Sequence, residues 1–63
     1  MNTVRYVYWQ DGNTWLGYVE DYPDYVTQGE TLEDLQENLK DLYLDLTGGK
    51  IPGVRQVAEL RIA

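Results

Sequence analysis

Thr31 to Thr47, TLEDLQENLKDLYLDLT, decides how this chain folds. Leu32, Leu35, Leu39, Leu42, Tyr43 and Leu46 recur there at helical spacing. At about 100° per residue they fall in one sector roughly 100° wide, the width of a core-facing stripe. Asp34, Glu37, Asn38, Asp41 and Asp45 take the opposite side. Thr31 is a capping residue, and Asp34 stands where a capping box places its acid, one methylene shorter than the usual Glu. Glu30, Glu33 and Asp34 sit at the positive end of the helix dipole. Gly48 suits the left-handed C-cap, and Pro52 opposes continuation. The spacing predicts a helix over residues 32–46. Leu44 lies off the stripe, about 120° from Leu32 at the α-helical rotation. It reads either as a singly exposed leucine or as a contact with a partner.

Outward from the helix, the order of elements follows the turn signals. Val4–Gln10, VRYVYWQ, is rich in strand-forming residues, and both of its faces are largely apolar, which predicts a central strand. Either Val4, Tyr6 and Tyr8 or Val7 and Trp9 would point away from the helix; the sequence leaves both open. Asp11-Gly12-Asn13 is a hairpin turn. Thr14–Glu20 is the returning strand, with Gly17 marking a bulge or a close approach. Pro23 turns the chain, Tyr25–Gln28 reads as a third strand, and Gly29 leads into the helix. Gly48–Gly53 is a loop. Val57–Ile62 alternates and reads as a terminal strand. The expected fold class is α+β: a β-β-β-α-β two-layer sandwich, sheet order 3-2-1-4, with the helix as a right-handed crossover.

Length and charge bound what such a unit can do. Sixty-three residues make a single domain, 1–63, and a chain so short is marginal in stability by itself. It has no cysteine and no histidine, hence no disulfide and no classical zinc ligand set. A partner subunit is the expected source of added stability, with a homo-oligomer, dimer or tetramer, as one form. No signal-like segment opens the chain and no apolar run suits a membrane, so a cytoplasmic location is expected. The net charge is −6, and ten of the eleven acidic groups fall in residues 11–45, where Lys40 is the one base. A field of this sign opposes direct nucleic-acid binding and favours a basic protein. Solubility alone would also account for it. One sheet face keeps an apolar, aromatic set, which points to an interface.

The segment Leu16-Gly17-Tyr18-Val19-Glu20-Asp21-Tyr22-Pro23-Asp24-Tyr25-Val26-Thr27-Gln28-Gly29-Glu30-Thr31-Leu32-Glu33-Asp34-Leu35, with Asn38-Leu39 after it, resembles the HicB antitoxin family. The shared features are an aromatic strand bearing a glycine, a turn of the form acidic-x-Pro-x-x-x-Thr-x-Gly, and a Thr-Leu-Glu helix start with an Asn on the second turn. The tail, from Asp41-Leu42-Tyr43 through Gly48, Ile51-Pro52-Gly53-Val54 and Glu59-Leu60, looks like the short branch of that family. The resemblance implies a partial ribonuclease-H-like fold. It implies an antitoxin that covers the active site of a HicA-like toxin, a small basic ribonuclease that cleaves messenger RNA. Longer members add a C-terminal DNA-binding domain; none is present in this sequence, so promoter binding by this polypeptide is not expected.

The expected mechanism is occlusion by charge complementarity. Glu33, Glu37, Asp41 and Asp45 on the helix, with Glu20, Asp21 and Asp24 near its start, would meet the basic surface. Tyr22, Tyr25 and Leu44 would supply apolar contact, although Tyr22 could equally pack under the turn. Catalysis is not expected, and neither is a cofactor. A two-metal nuclease needs converging carboxylates. Asp11 lies at the far end of the strand from Glu20, Asp21 and Asp24, and there is no histidine for acid–base work. A non-catalytic oligomeric adaptor is the competing reading.

Overall fold

The computed structural model describes residues 2–63 and contains β1 (Tyr6–Asp11), β2 (Thr14–Val19), β3 (Thr27–Gly29) and α1 (Leu32–Thr47). Asp11 and Thr14 close the β1–β2 hairpin around Gly12, whose φ of 61° is the left-handed geometry the short turn demands. The register runs without a break from Tyr6↔Val19 to Asp11↔Thr14 and pairs Tyr8 with Gly17. Gly17 is therefore a close approach and not a bulge. A Cβ there would lie 2.8 Å from the Val7 carbonyl oxygen and 3.2 Å from a Leu35 methyl.

That register settles which face is which. Residues directly across an antiparallel pair share a face. Tyr6, Trp15 and Val19 pack with the helix leucines, so Tyr8 and Gly17 face α1 as well. Val7, Trp9, Leu16 and Tyr18 then make up the uncovered face, where the Trp9 and Tyr18 rings meet edge-on at 6.1 Å.

α1 starts as the capping signal predicts, with the Asp34 N–H donating to the Thr31 side-chain oxygen at 3.0 Å. It runs to Thr47, one residue beyond the expected end. Gly48 is thereby the cap itself, at φ −87°, and Gly49 takes the left-handed position at φ 78°. Val19, Leu35, Leu39 and Leu46 are buried, with Tyr22, Leu32 and Tyr43 packed around the first three. Gly29 lets the first turn of α1 rest directly on β3: a Cβ on it would lie 2.4 Å from the Leu35 nitrogen.

Two sequence expectations are corrected. The third strand is Thr27–Gly29, not Tyr25–Gln28. Turn bonds from Tyr22 N–H to Val19 C=O, 2.8 Å, and from Tyr25 N–H to Tyr22 C=O, 3.1 Å, hold Tyr25 back from the sheet. The larger correction concerns the fold class. Among the described residues Val57–Ile62 forms no strand, and the sheet has three antiparallel strands in the order β1-β2-β3. The fold is a small antiparallel sheet with one helix, not a four-stranded ribonuclease-H-like sandwich of order 3-2-1-4. The alternation in Val57–Ile62 is real, but a strand exists only with a neighbour to bond. Arg55 is tied to Asp24 in the β2–β3 loop, Ile51 and Val54 are half-buried, and the residues beyond run out exposed. Both β1 and β3 are consequently sheet edges.

Candidate protein-binding surfaces

The α-helical rise of about 1.5 Å per residue puts positions four apart roughly 6 Å apart along one inclined row. Glu33, Glu37, Asp41 and Asp45 stand at such positions. Glu33, Glu37 and Asp41 are exposed and, among the described residues, make no ion pair. Asp34 and Glu30 extend the negative surface sideways. A shallow depression of about 460 Å³ is lined by Glu30, Asp34 and Glu37 together with Thr14, Gln28, Gly29 and Asn38. Lys40 stands beside Glu33 and Glu37 at its neighbouring hollow. The Asn38 amide donates to the Gln28 carbonyl at 2.7 Å, which fastens the helix to β3 and occupies an acceptor of that edge.

The remaining acidic positions are differently placed. Asp45 is half-buried and meets Lys50 at 3.6 Å. Glu20 meets Arg5 at 3.2 Å, at the open-face end of the hairpin. Asp24 accepts a hydrogen bond from Arg55. That hydrogen bond, and the charge behind it, raise the Arg55 guanidinium above its ordinary pKa, so the arginine stays charged. Asp21 is exposed. The three ion pairs are surface pairs, of the kind that contribute little to stability; their effect is to cancel charge locally. The fold thus brings Glu33, Glu37 and Asp41 together as an unpaired row and sets Glu20, Asp24 and Asp45 apart from it as neutralised positions.

The aromatic positions are partly committed to packing. Tyr22 is half-buried, its ring edge-on to Tyr43 at 6.4 Å, and Tyr25 is half-buried in the same loop. Leu44 is 56% exposed. It borders a groove of about 380 Å³ with Val4, Tyr6, Val19, Leu39 and Tyr43, between the outer edge of β1 and the helix. Sequence reasoning missed this groove because it placed a fourth strand there. The six-residue run Gly48–Gly53, with three glycines and a proline, was the available warning that the tail need not return to the sheet.

No group of histidine, cysteine or carboxylate side chains among the described residues is arranged to hold a metal ion. No helix among them is long and apolar enough to cross a membrane. No protein-family model matches this chain, and no curated protein and no solved structure matches it.

Proposed function

We propose that this chain is a non-catalytic binding module that blocks the nucleic-acid-binding surface of a small basic ribonuclease, acting as a HicB-like antitoxin on a HicA-like toxin. The observation that carries the reading is the row Glu33, Glu37 and Asp41, exposed and without an ion pair among the described residues, on a helix whose other side is anchored in the core. A row of carboxylates on a rigid element resembles a phosphate backbone in sign and spacing of charge. It complements a surface built to hold RNA and repels RNA itself. The motif from Leu16 to Leu39 supports the choice of partner. Fixed charges of this kind act mainly on the encounter rate and on partner choice, while desolvated apolar contacts hold the complex.

The test is a binding titration against a HicA-like ribonuclease with the double variant Glu37→Lys, Asp41→Lys. Both residues are exposed, so the variant folds as the parent does. The association rate is expected to fall at least about tenfold at low salt, with the difference shrinking as ionic strength rises past the point where the Debye length is ~10 Å. An unchanged association rate and affinity would remove the helix row from the interface. A ribonuclease that stays fully active beside the parent chain would remove the whole reading.

A further inference from the structure

The groove beside β1 has a particular shape. Val4, Tyr6, Val19, Leu39, Tyr43 and Leu44 line it, together with the polar Asn2, Gln36 and Lys40. One long side of it is the outer edge of β1, which pairs with no further strand among the described residues. The Glu20 N–H donates to the Arg5 carbonyl at 2.9 Å, which fixes the hydrogen-bonding phase of the hairpin. In an antiparallel pair that phase alternates, so Val7 and Trp9 direct their backbone groups at β2, while Tyr6, Tyr8 and Gln10 direct theirs outward. A largely apolar trough lying along a row of free backbone donors and acceptors is the receiving half of a strand-addition site.

The other sheet edge offers no equivalent. β3 spans only Thr27–Gly29, Asn38 occupies the Gln28 carbonyl, and Gly29 lies under the first turn of α1.

The donating half is in the same sequence. Residues 57–63 are all exposed, with Leu60 at 86% and Ile62 at 91%. The root of this tail is held at the β2–β3 loop, where Asp21–Tyr25 line a small hollow with Arg55, Gln56 and Val57. Beyond that root it projects, and the molecule is 44 Å long against 28 and 27 Å across. At about 3.3 Å per residue, residues 57–63 span roughly 23 Å, enough to cover β1 from end to end. Alternation divides the segment into Ala58, Leu60 and Ile62 on one side and Val57, Glu59 and Arg61 on the other. The first set matches the trough. The second would fall on the face that carries Arg5 and Glu20.

We infer that two copies of this chain associate by exchange, each laying residues 57–62 along the outer edge of its partner's β1, with Ala58, Leu60 and Ile62 in the partner's groove. Within one chain the segment forms no strand and lies exposed, its root beside Asp24 in the β2–β3 loop. A two-fold exchange uses the same donor and acceptor twice and closes on itself. It assigns Leu44 to this groove and not to the acidic row, and it does not depend on the ribonuclease reading.

The experiment is light scattering of the full chain over a range of concentrations, combined with amide exchange. The parent is expected to have the mass of a dimer, with the Tyr6, Tyr8 and Gln10 amides protected. Leu60→Lys with Ile62→Lys changes only side chains exposed in the single chain, so folding is untouched; it is expected to be monomeric, with those amides exchanging freely. Val4→Lys with Leu44→Lys is expected to do the same from the groove side. Trp9→Lys, on the uncovered face, is expected to leave both mass and protection as in the parent. A parent that is monomeric throughout overturns the inference. So does a dimer that survives the tail substitutions, or a dimer in which the outer β1 amides exchange as freely as in the monomer, which would indicate stacking through Val7 and Trp9 instead.

Discussion

Gly29→Ala tests the packing on which the helix position depends. The added methyl carbon would lie 2.4 Å from the Leu35 nitrogen and 2.9 Å from both the Asp34 carbonyl carbon and the Leu35 Cα. All three are backbone atoms of the first helical turn, so no side chain can rotate away. The Leu35 N–H also donates to the Thr31 carbonyl at 3.0 Å, one of the first bonds of the helix, and any retreat of the backbone disturbs it. Gly29 is not among the glycines with positive φ, so alanine suits its backbone and the effect is steric. Removing a glycine stiffens the unfolded chain, which gains about 0.4–1 kcal/mol where the native geometry allows it. Overpacking against a fixed neighbour costs about 1–3 kcal/mol, and the upper end applies where backbone must move. The expected net loss is about 2 kcal/mol. A domain of this length holds roughly 3–9 kcal/mol in all, at ~0.05–0.15 kcal/mol per residue.

The assay is thermal and urea unfolding followed by circular dichroism. A loss of about 2 kcal/mol lowers Tm by roughly 8–16 °C in a domain this small. The companion variant is Gly12→Asn. Gly12 has φ 61° and nothing within 4 Å of its would-be Cβ, and Asn tolerates that backbone, so the change should stay within about 0.5 kcal/mol. If Gly29→Ala melted within about 2 °C of the parent, the close seating of α1 on β3 would be refuted.

Other substitutions separate the core from the surface. Leu35→Ala, at the one fully buried large side chain, should cost about 2–5 kcal/mol, enough to unfold much of the population at 37 °C; Leu44→Ala should leave the unfolding midpoint of the single chain nearly unchanged. Thr31→Ala removes the oxygen that caps Asp34 N–H and should cost about 1 kcal/mol in urea unfolding. Arg55→Gln should leave the midpoint alone yet release the root of the tail, seen as faster limited proteolysis between residues 50 and 57.

What could be read from the sequence follows from how local each signal is. The helix was legible because its stripe, its Thr31 cap and its glycines are all contained in one stretch. The β1–β2 hairpin was legible from Asp11-Gly12-Asn13. The choice of buried face was not, since Tyr6 and Tyr8 on one side and Val7 and Trp9 on the other are equally apolar; only the position of the helix over the sheet decides it. The tail misled for a related reason. Val57–Ile62 carries a strand pattern, but pattern specifies a conformation suited to pairing and says nothing of which edge accepts it. The Arg55–Asp24 tie, between residues thirty-one apart in sequence, sets the root of the segment at the β2–β3 loop and has no local signature.

The candidate site divides in the same way, and the division locates the charge. The row of Glu33, Glu37 and Asp41 is a consequence of helical period and was readable directly. The fate of Glu20, Asp24 and Asp45 was not, because each is met by a base from a distant part of the fold or from the loop: Arg5, Arg55 and Lys50 respectively. Counting acids along the sequence therefore spreads the negative field over residues 11–45, whereas folding concentrates it. Three of the four bases outside that stretch, Arg5, Lys50 and Arg55, stand at the end of the molecule formed by the start of β1, the β2–β3 loop and the helix C-terminus, and they meet Glu20, Asp45 and Asp24 there. Besides Asp11, Asp21 and Glu59, the acids without an ion pair among the described residues are Glu30, Glu33, Asp34, Glu37 and Asp41, at and along α1, against the one base Lys40. Glu30, Glu33 and Asp34 also lie at the positive end of the helix dipole, which stabilises them where they stand. On the proposed reading, a basic partner would be drawn to the acidic row of the helix and not to its C-terminal end.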